Sequence, residues 1–83
     1  MIPRIKHIKA LENYILLVEF DCGVKVLYDV KDDIRTLKDF KVLESEYGLF
    51  NNVQLDSSRT CAYWTDRVDL PSDTLLEYGS VVR

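Results

Sequence analysis

The stretch "YILLVEFDCGVKVLYDV", residues 14–30, decides how this 83-residue chain folds. Residues 14–20 are dense in β-branched and aromatic side chains, which suit a pleated, half-buried surface. "DCG" interrupts the run and "VKVLYDV" resumes it, so the stretch reads as a β-hairpin. A three-residue loop over 21–23, with Gly23 left-handed, sets Phe20 opposite Val24. It then sets Glu19 opposite Lys25, Val18 opposite Val26 and Leu17 opposite Leu27. The carboxylate–ammonium pair supports that register by about 0.2–1 kcal/mol. A two-residue Cys22-Gly23 loop would set Phe20 against Lys25, a poorer match.

The hairpin has two apolar faces. Tyr14, Leu16, Val18 and Phe20 point one way. Ile15 and Leu17 point the other, with Leu27 across from Leu17. A two-layer α/β domain needs only one such face. The second is therefore expected to be covered by the C-terminal helix, by a second copy of the chain, or by a partner.

Working outward, residues 4–11 alternate weakly and read as an outer strand, turned into the hairpin at Glu12 and Asn13. After it, Asp32 or Asp33 is placed to cap a short helix through Ile34 and Leu37. "FKVLESEYGLF", residues 40–50, gives a second helical stretch with Leu43, Tyr47 and Phe50 on one face and Gly48 as its terminator. "VQLD" and "TCAYW", joined by "SSR", read as a second hairpin. "TDR" turns and "VDL" is extended. Pro71 fits the first turn of a third helix, where its missing N–H has no partner to lose. Asp69 or Ser72 is expected to cap that helix and Asp73 to face its dipole. Leu75, Leu76 and Tyr78 are expected to pack back, and Gly79 ends it. The expected fold class is α+β: a small, mostly antiparallel sheet built from two β-hairpins with two or three short helices, in a single domain over 1–83.

Composition is that of an ordinary globular domain, 47% hydrophobic and 30% charged. The net charge of −3 is unevenly spread. Residues 1–41 carry eight Lys and Arg against seven acids, and residues 42–83 carry three against seven. Phosphate binding depends on Lys and Arg releasing counterions, so direct nucleic-acid binding is not expected. The apolar runs are too short to span a bilayer. The N-terminus has no apolar core followed by a cleavage site, so a cytoplasmic location is expected. Cys22 and Cys61 are then expected to be free thiols.

No catalytic constellation emerges. Asp66, Asp69 and Asp73 have only Arg67 nearby, and turn or cap duty explains them better than acid–base chemistry. His7, Cys22 and Cys61 lack the paired spacing of a zinc site, and nothing orients His7 as a base. Three scattered glycines make no phosphate cradle. Trp64 reads as a core or interface anchor, half-buried, with an N–H that needs a partner. No cofactor or metal is implied.

In order, the chain carries Phe20-x-x-Gly23, Asp29-Val30, "LFNNVQLD" (49–56), Trp64 and "VDLPSDTL" (68–75). With the opening "PRIKHIKALENYILLVEFDCGVKVLYDV", this succession resembles the small bacterial proteins of the domain of unknown function 2442 family. The likeness runs over nearly all 83 residues, and it lies in the order of short motifs. It implies a compact α+β domain, often encoded beside a second small protein and described as the antitoxin of a two-gene toxin–antitoxin pair. Some longer relatives add a helix-turn-helix domain; no such pattern occurs in these 83 residues, so operator binding by them alone is not expected. The family has no established catalytic residues to carry over.

The functional expectation is a non-enzymatic protein-binding module, an antitoxin-like partner of a small basic protein. Ile15, Leu17, Leu27, Trp64, Asp66 and Asp69 are the expected contact residues, and pairing with a second copy of the chain is expected for the free protein. The alternative is a small-ligand-binding or regulatory domain with a pocket near Trp64.

Overall fold

A computed structural model describes residues 2–82. The strands are β1 (Ile5–Leu11), β2 (Ile15–Phe20), β3 (Lys25–Asp29), β4 (Gln54–Leu55), β5 (Cys61–Thr65), β6 (Val68–Pro71) and β7 (Ser80–Val81). The helices are α1 (Lys31–Thr36), α2 (Val42–Ser45) and α3 (Ser72–Tyr78). The strands form two antiparallel sheets, one ordered β1-β2-β3-β7 and the other β4-β5-β6. The α+β class holds, with each hairpin in its own sheet.

The central hairpin has the expected register: Glu19 pairs with Lys25, Val18 with Val26 and Leu17 with Leu27. The Phe20 N–H donates to the Val24 carbonyl at 2.9 Å, closing the loop. Gly23 sits at φ 91°, the left-handed region that this turn demands and that only glycine enters freely. β1 is an edge strand, as its weak alternation suggests.

Alternation along the strands decides the core. Leu16, Val18, Phe20 and Val26 are buried from the first sheet, and Ala62, Trp64, Val68 and Leu70 from the second. Ile34, Leu43, Phe50 and Leu75 belong to the same cluster, as do Ile5, Tyr28, Val30 and Phe40. Each fully buried side chain of this size contributes up to about 1.5–3 kcal/mol, so these inward residues outweigh every polar contact in the chain. The sheets are also tied at their rim. The Ile5 N–H donates to the Arg59 carbonyl at 2.7 Å. The Arg59 guanidinium reaches back to both Asp21 carboxylate oxygens, at 2.7 and 2.9 Å.

Several local expectations are corrected. β2 begins at Ile15, because Asn13 and Tyr14 both turn left-handed, at φ 62° and 59°. An aromatic residue there is strained by about 1–3 kcal/mol. Offsetting contacts are the Val30 N–H on the Tyr14 carbonyl at 2.9 Å and the Tyr14 ring set edge-on to Phe50 at 5.2 Å. Neither Asp32 nor Asp33 caps α1. The helix starts at Lys31, whose N–H is taken by Asp29 Oδ1 at 2.9 Å, while Asp33 accepts the Tyr28 hydroxyl at 2.6 Å. Leu37 falls beyond the helix and is exposed. The second helical stretch breaks at Glu46, which is extended, so Leu43 and Phe50 are buried but Tyr47 is fully exposed.

The end of the chain differs more. "VDLP" is a strand paired with β5 across a two-residue Asp66-Arg67 turn, a third hairpin. Pro71 therefore ends β6 at φ −64° and ψ 149°, and is outside the first turn of α3. Neither Asp69 nor Ser72 caps the helix. Asp69 points outward opposite Tyr63, and the Ser72 hydroxyl is buried with no hydrogen-bond partner among the described residues. The Ser72 N–H instead donates to the Thr60 carbonyl at 2.8 Å, continuing the sheet. Asp73 Oδ1 does take a first-turn N–H, from Thr74 at 2.9 Å. Leu75 packs inward as expected, but Tyr78 is exposed. At Gly79 a Cβ would stand 2.5 Å from the Leu75 carbonyl oxygen and 3.0 Å from Val26, so close approach, not left-handedness, calls for glycine.

Candidate functional site

The six expected contact residues do not come together. Ile15, Leu17 and Leu27 share the outward face of the four-stranded sheet. Trp64 lies in the core at 7% exposure. Asp66 lies in the β5–β6 turn and Asp69 on the outward side of the other sheet.

Trp64 is fixed from all sides. Its Nε1–H donates to the Phe50 carbonyl at 2.9 Å. Its ring stacks on Phe50 at 5.7 Å and meets Phe40 edge-on at 6.4 Å. It is a satisfied core residue, more deeply buried than the half-buried position expected for it.

The outward face is built by register. Three rungs run across β1, β2 and β3: His7–Glu19–Lys25, Lys9–Leu17–Leu27 and Leu11–Ile15–Asp29. They alternate with the rungs Ile8–Val18–Val26 and Ala10–Leu16–Tyr28, which point into the core. Period-2 geometry thus gathers Leu11, Ile15, Leu17 and Leu27 into one apolar strip, with His7, Lys9, Glu19, Lys25 and Asp29 around it. Leu11, Ile15 and Leu17 are partly exposed and Leu27 is 38% exposed. Beyond Leu27 lie Ser80 of β7 and Val82, whose N–H donates to the Lys25 carbonyl at 2.8 Å. The C-terminal helix does not cover this strip. Leu75 is in the core and Gly79 abuts Val26, an inward residue of β3, so α3 packs on the other side. Leu11, Lys9 and Glu19 belong to the face but were absent from the expected set. Strand alternation gives Glu19 from the sequence, but a turn at Glu12 and Asn13 would pair Leu11 with Tyr14 on the inward face. Only the three-residue turn Glu12–Tyr14 sets Leu11 opposite Ile15 and Lys9 opposite Leu17.

Other chemistry is sparse. Among the described residues no group of three or more His, Cys, Asp or Glu stands close enough to hold a metal ion. Both cysteines are free. Burial, with Asp69 and Asp56 nearby, pushes the Cys61 thiol up, away from the reactive thiolate. The Arg59 hydrogen bond holds the Asp21 carboxyl below its ordinary value, and the Ser58 hydroxyl does the same for Asp56. Burial and the hydrogen bond to Asp33 push the Tyr28 phenol up. All four groups serve structural contacts. A cleft of about 770 Å³ lies between the β1–β2 turn and the 43–51 segment, lined by Glu12, Tyr14, Glu44, Glu46, Tyr47 and Phe50 among others. Phe50 lines it, and Trp64, stacked on Phe50, does not. No helix among the described residues is long and apolar enough to cross a membrane. No known family model, curated protein or solved structure matches the chain.

Proposed function

We propose that the chain is a non-enzymatic protein-binding module of the cytoplasm, antitoxin-like, whose partner is a small basic protein encoded beside it. The observation that carries the reading is the open strip of Leu11, Ile15, Leu17 and Leu27 on the outward face of the four-stranded sheet. Contiguous apolar surface is where interfaces gain most of their affinity, and charges at the rim steer encounter. The acidic balance of residues 42–83 and the net charge of −3 favour a basic partner. The resemblance to the domain of unknown function 2442 family supplies the two-gene arrangement. Expressing the chain together with the product of its adjacent reading frame tests this. A stoichiometric complex is expected on purification of the tagged chain, and recovery of the chain alone would count against the reading.

The 770 Å³ cleft keeps a small-ligand reading in view, because aromatic and carboxylate side chains line it together. It stands beyond Phe50 instead of at Trp64. Binding there would be to a cationic or neutral ligand, since Glu12, Glu44 and Glu46 repel anions.

A further inference from the structure

We infer that the outward face of the four-stranded sheet also takes a second copy of this chain, as a weak two-fold dimer with crossed strands. The charge pattern of the face carries the inference. Across β1, β2 and β3 its nine positions form an array of three rungs by three strands, with Leu17 at the centre and Ser80 of β7 beyond Leu27. Two such faces packed by a two-fold axis in their common plane have four simple arrangements, and the side chains discriminate among them.

An axis along β2 lays Leu11 on Asp29 and His7 on Lys25. An axis along the Lys9–Leu17–Leu27 rung lays Lys9 on Lys9 and Glu19 on Ile15. The Lys25–Leu17–Leu11 diagonal lays Lys25 on Lys25 and Lys9 on Ile15. Each places charge on charge of like sign or charge on apolar surface. The His7–Leu17–Asp29 diagonal also lays Asp29 on Asp29 and Lys25 on Leu11, but it is the one of the four that matches all four residues flanking Leu17. It lays Leu17 on Leu17 of the second copy, Leu27 on Ile15 twice, and Glu19 on Lys9 twice. The stem of Lys25 covers Leu11. Only the corners meet their own kind, and Asp29 there already has Lys31 at 3.1 Å. Glu19 and Lys9 form no ion pair within the chain among the described residues, so both are available. Crossing along this diagonal turns the strands of the copies roughly perpendicular, one of the two established ways that sheets stack.

Size sets the strength. Three strands and three outward rungs span about 10 Å by about 14 Å between backbone positions. That is well short of the roughly 800 Å² per partner of a stable complex. The dimer is therefore weak, and a tighter partner on the same face displaces it.

Charge reversal tests the arrangement directly. Sedimentation equilibrium over a concentration series compares wild type, Lys9→Glu, Glu19→Lys, their equimolar mixture and the double variant, with circular dichroism as the folding control. Each single variant opposes like charges at two contacts and is expected to weaken association by roughly tenfold. The mixture and the double variant re-pair opposite charges at both contacts and are expected to return close to wild type. If one single variant fails to fold, the double variant still decides. Wild type that stays monomeric at millimolar concentration overturns the inference, and so does a mixture no stronger than the single variants. A monomer that still binds a heterologous partner through Leu17 removes the dimer alone and leaves the proposed function standing.

Discussion

Replacing Trp64 by Phe separates a core residue from a contact residue. The indole Nε1–H is the donor for the Phe50 carbonyl at 2.9 Å, and both groups are buried. Phenylalanine keeps an aromatic ring against Phe50 and Phe40 but removes that donor. A buried carbonyl left without its partner costs about 1–3 kcal/mol. The atoms lost from the indole leave a small void, worth about 1 kcal/mol more where the surroundings collapse only partly. The sum, about 2–4 kcal/mol, is a large share of the roughly 5–10 kcal/mol that holds a domain of this size. At about 4–8 °C per kcal/mol, melting should fall by roughly 10–25 °C. Urea unfolding followed by far-UV circular dichroism, which needs no tryptophan signal, measures the change. A loss under about 1 kcal/mol would refute the core role argued for Trp64. So would an unchanged melting point combined with lost partner binding.

Two further outcomes follow from polar groups at the seams. Ser72→Ala removes a buried hydroxyl that has no partner among the described residues and keeps the N–H bonded to Thr60, so stability in urea should be unchanged or rise by up to about 1 kcal/mol; a loss of about 1 kcal/mol would mean that the hydroxyl caps α3 after all. Asp21→Asn should lower the unfolding midpoint at neutral pH. Because Arg59 depresses the folded-state value of Asp21, the wild-type advantage is complete above the ordinary carboxylate value of about 3.9 and fades as pH falls through the lower folded value. Unfolding midpoints taken from pH 7 downward should converge only at the acid end, and a gap that closes nearer neutrality would contradict the pairing.

The parts legible in the sequence were those fixed by neighbours. The central hairpin follows from "DCG" and from Glu19 facing Lys25, both local. The two-sided apolar pattern of Ile15, Leu17 and Leu27 was equally plain, since strand alternation leaves no third direction. What could not be read depended on distant or unusual contacts. "TDR" lacks the Gly or Asn usual for a two-residue hairpin turn, so nothing local signals the β5–β6 pairing, and Pro71 reads as the start of a helix. That the two hairpins belong to separate sheets is a matter of long-range packing. Left-handed Tyr14 and Arg59 contradict local preference, and are held by Val30 and Phe50 in one case and by Ile5 and Asp21 in the other. Helical spacing places Tyr47 inward, but the helix ends before that spacing applies. Of the candidate site, the apolar strip is legible by alternation, whereas Trp64, Asp66 and Asp69 all belong to the β4-β5-β6 side, Trp64 in the core and the two acids exposed, because the packing of one sheet on the other is a long-range matter.

The outward face of the four-stranded sheet is proposed as surface that a partner covers, and Leu17 is the middle position of its three rungs on β1, β2 and β3. Leu17→Lys, expressed together with the product of the adjacent reading frame, measures this in one preparation. The predicted result is a variant with the far-UV spectrum and melting point of wild type that no longer retains the partner. A variant that unfolds would show this face to be interior, and one that is folded and retains the partner fully would show that docking occurs elsewhere.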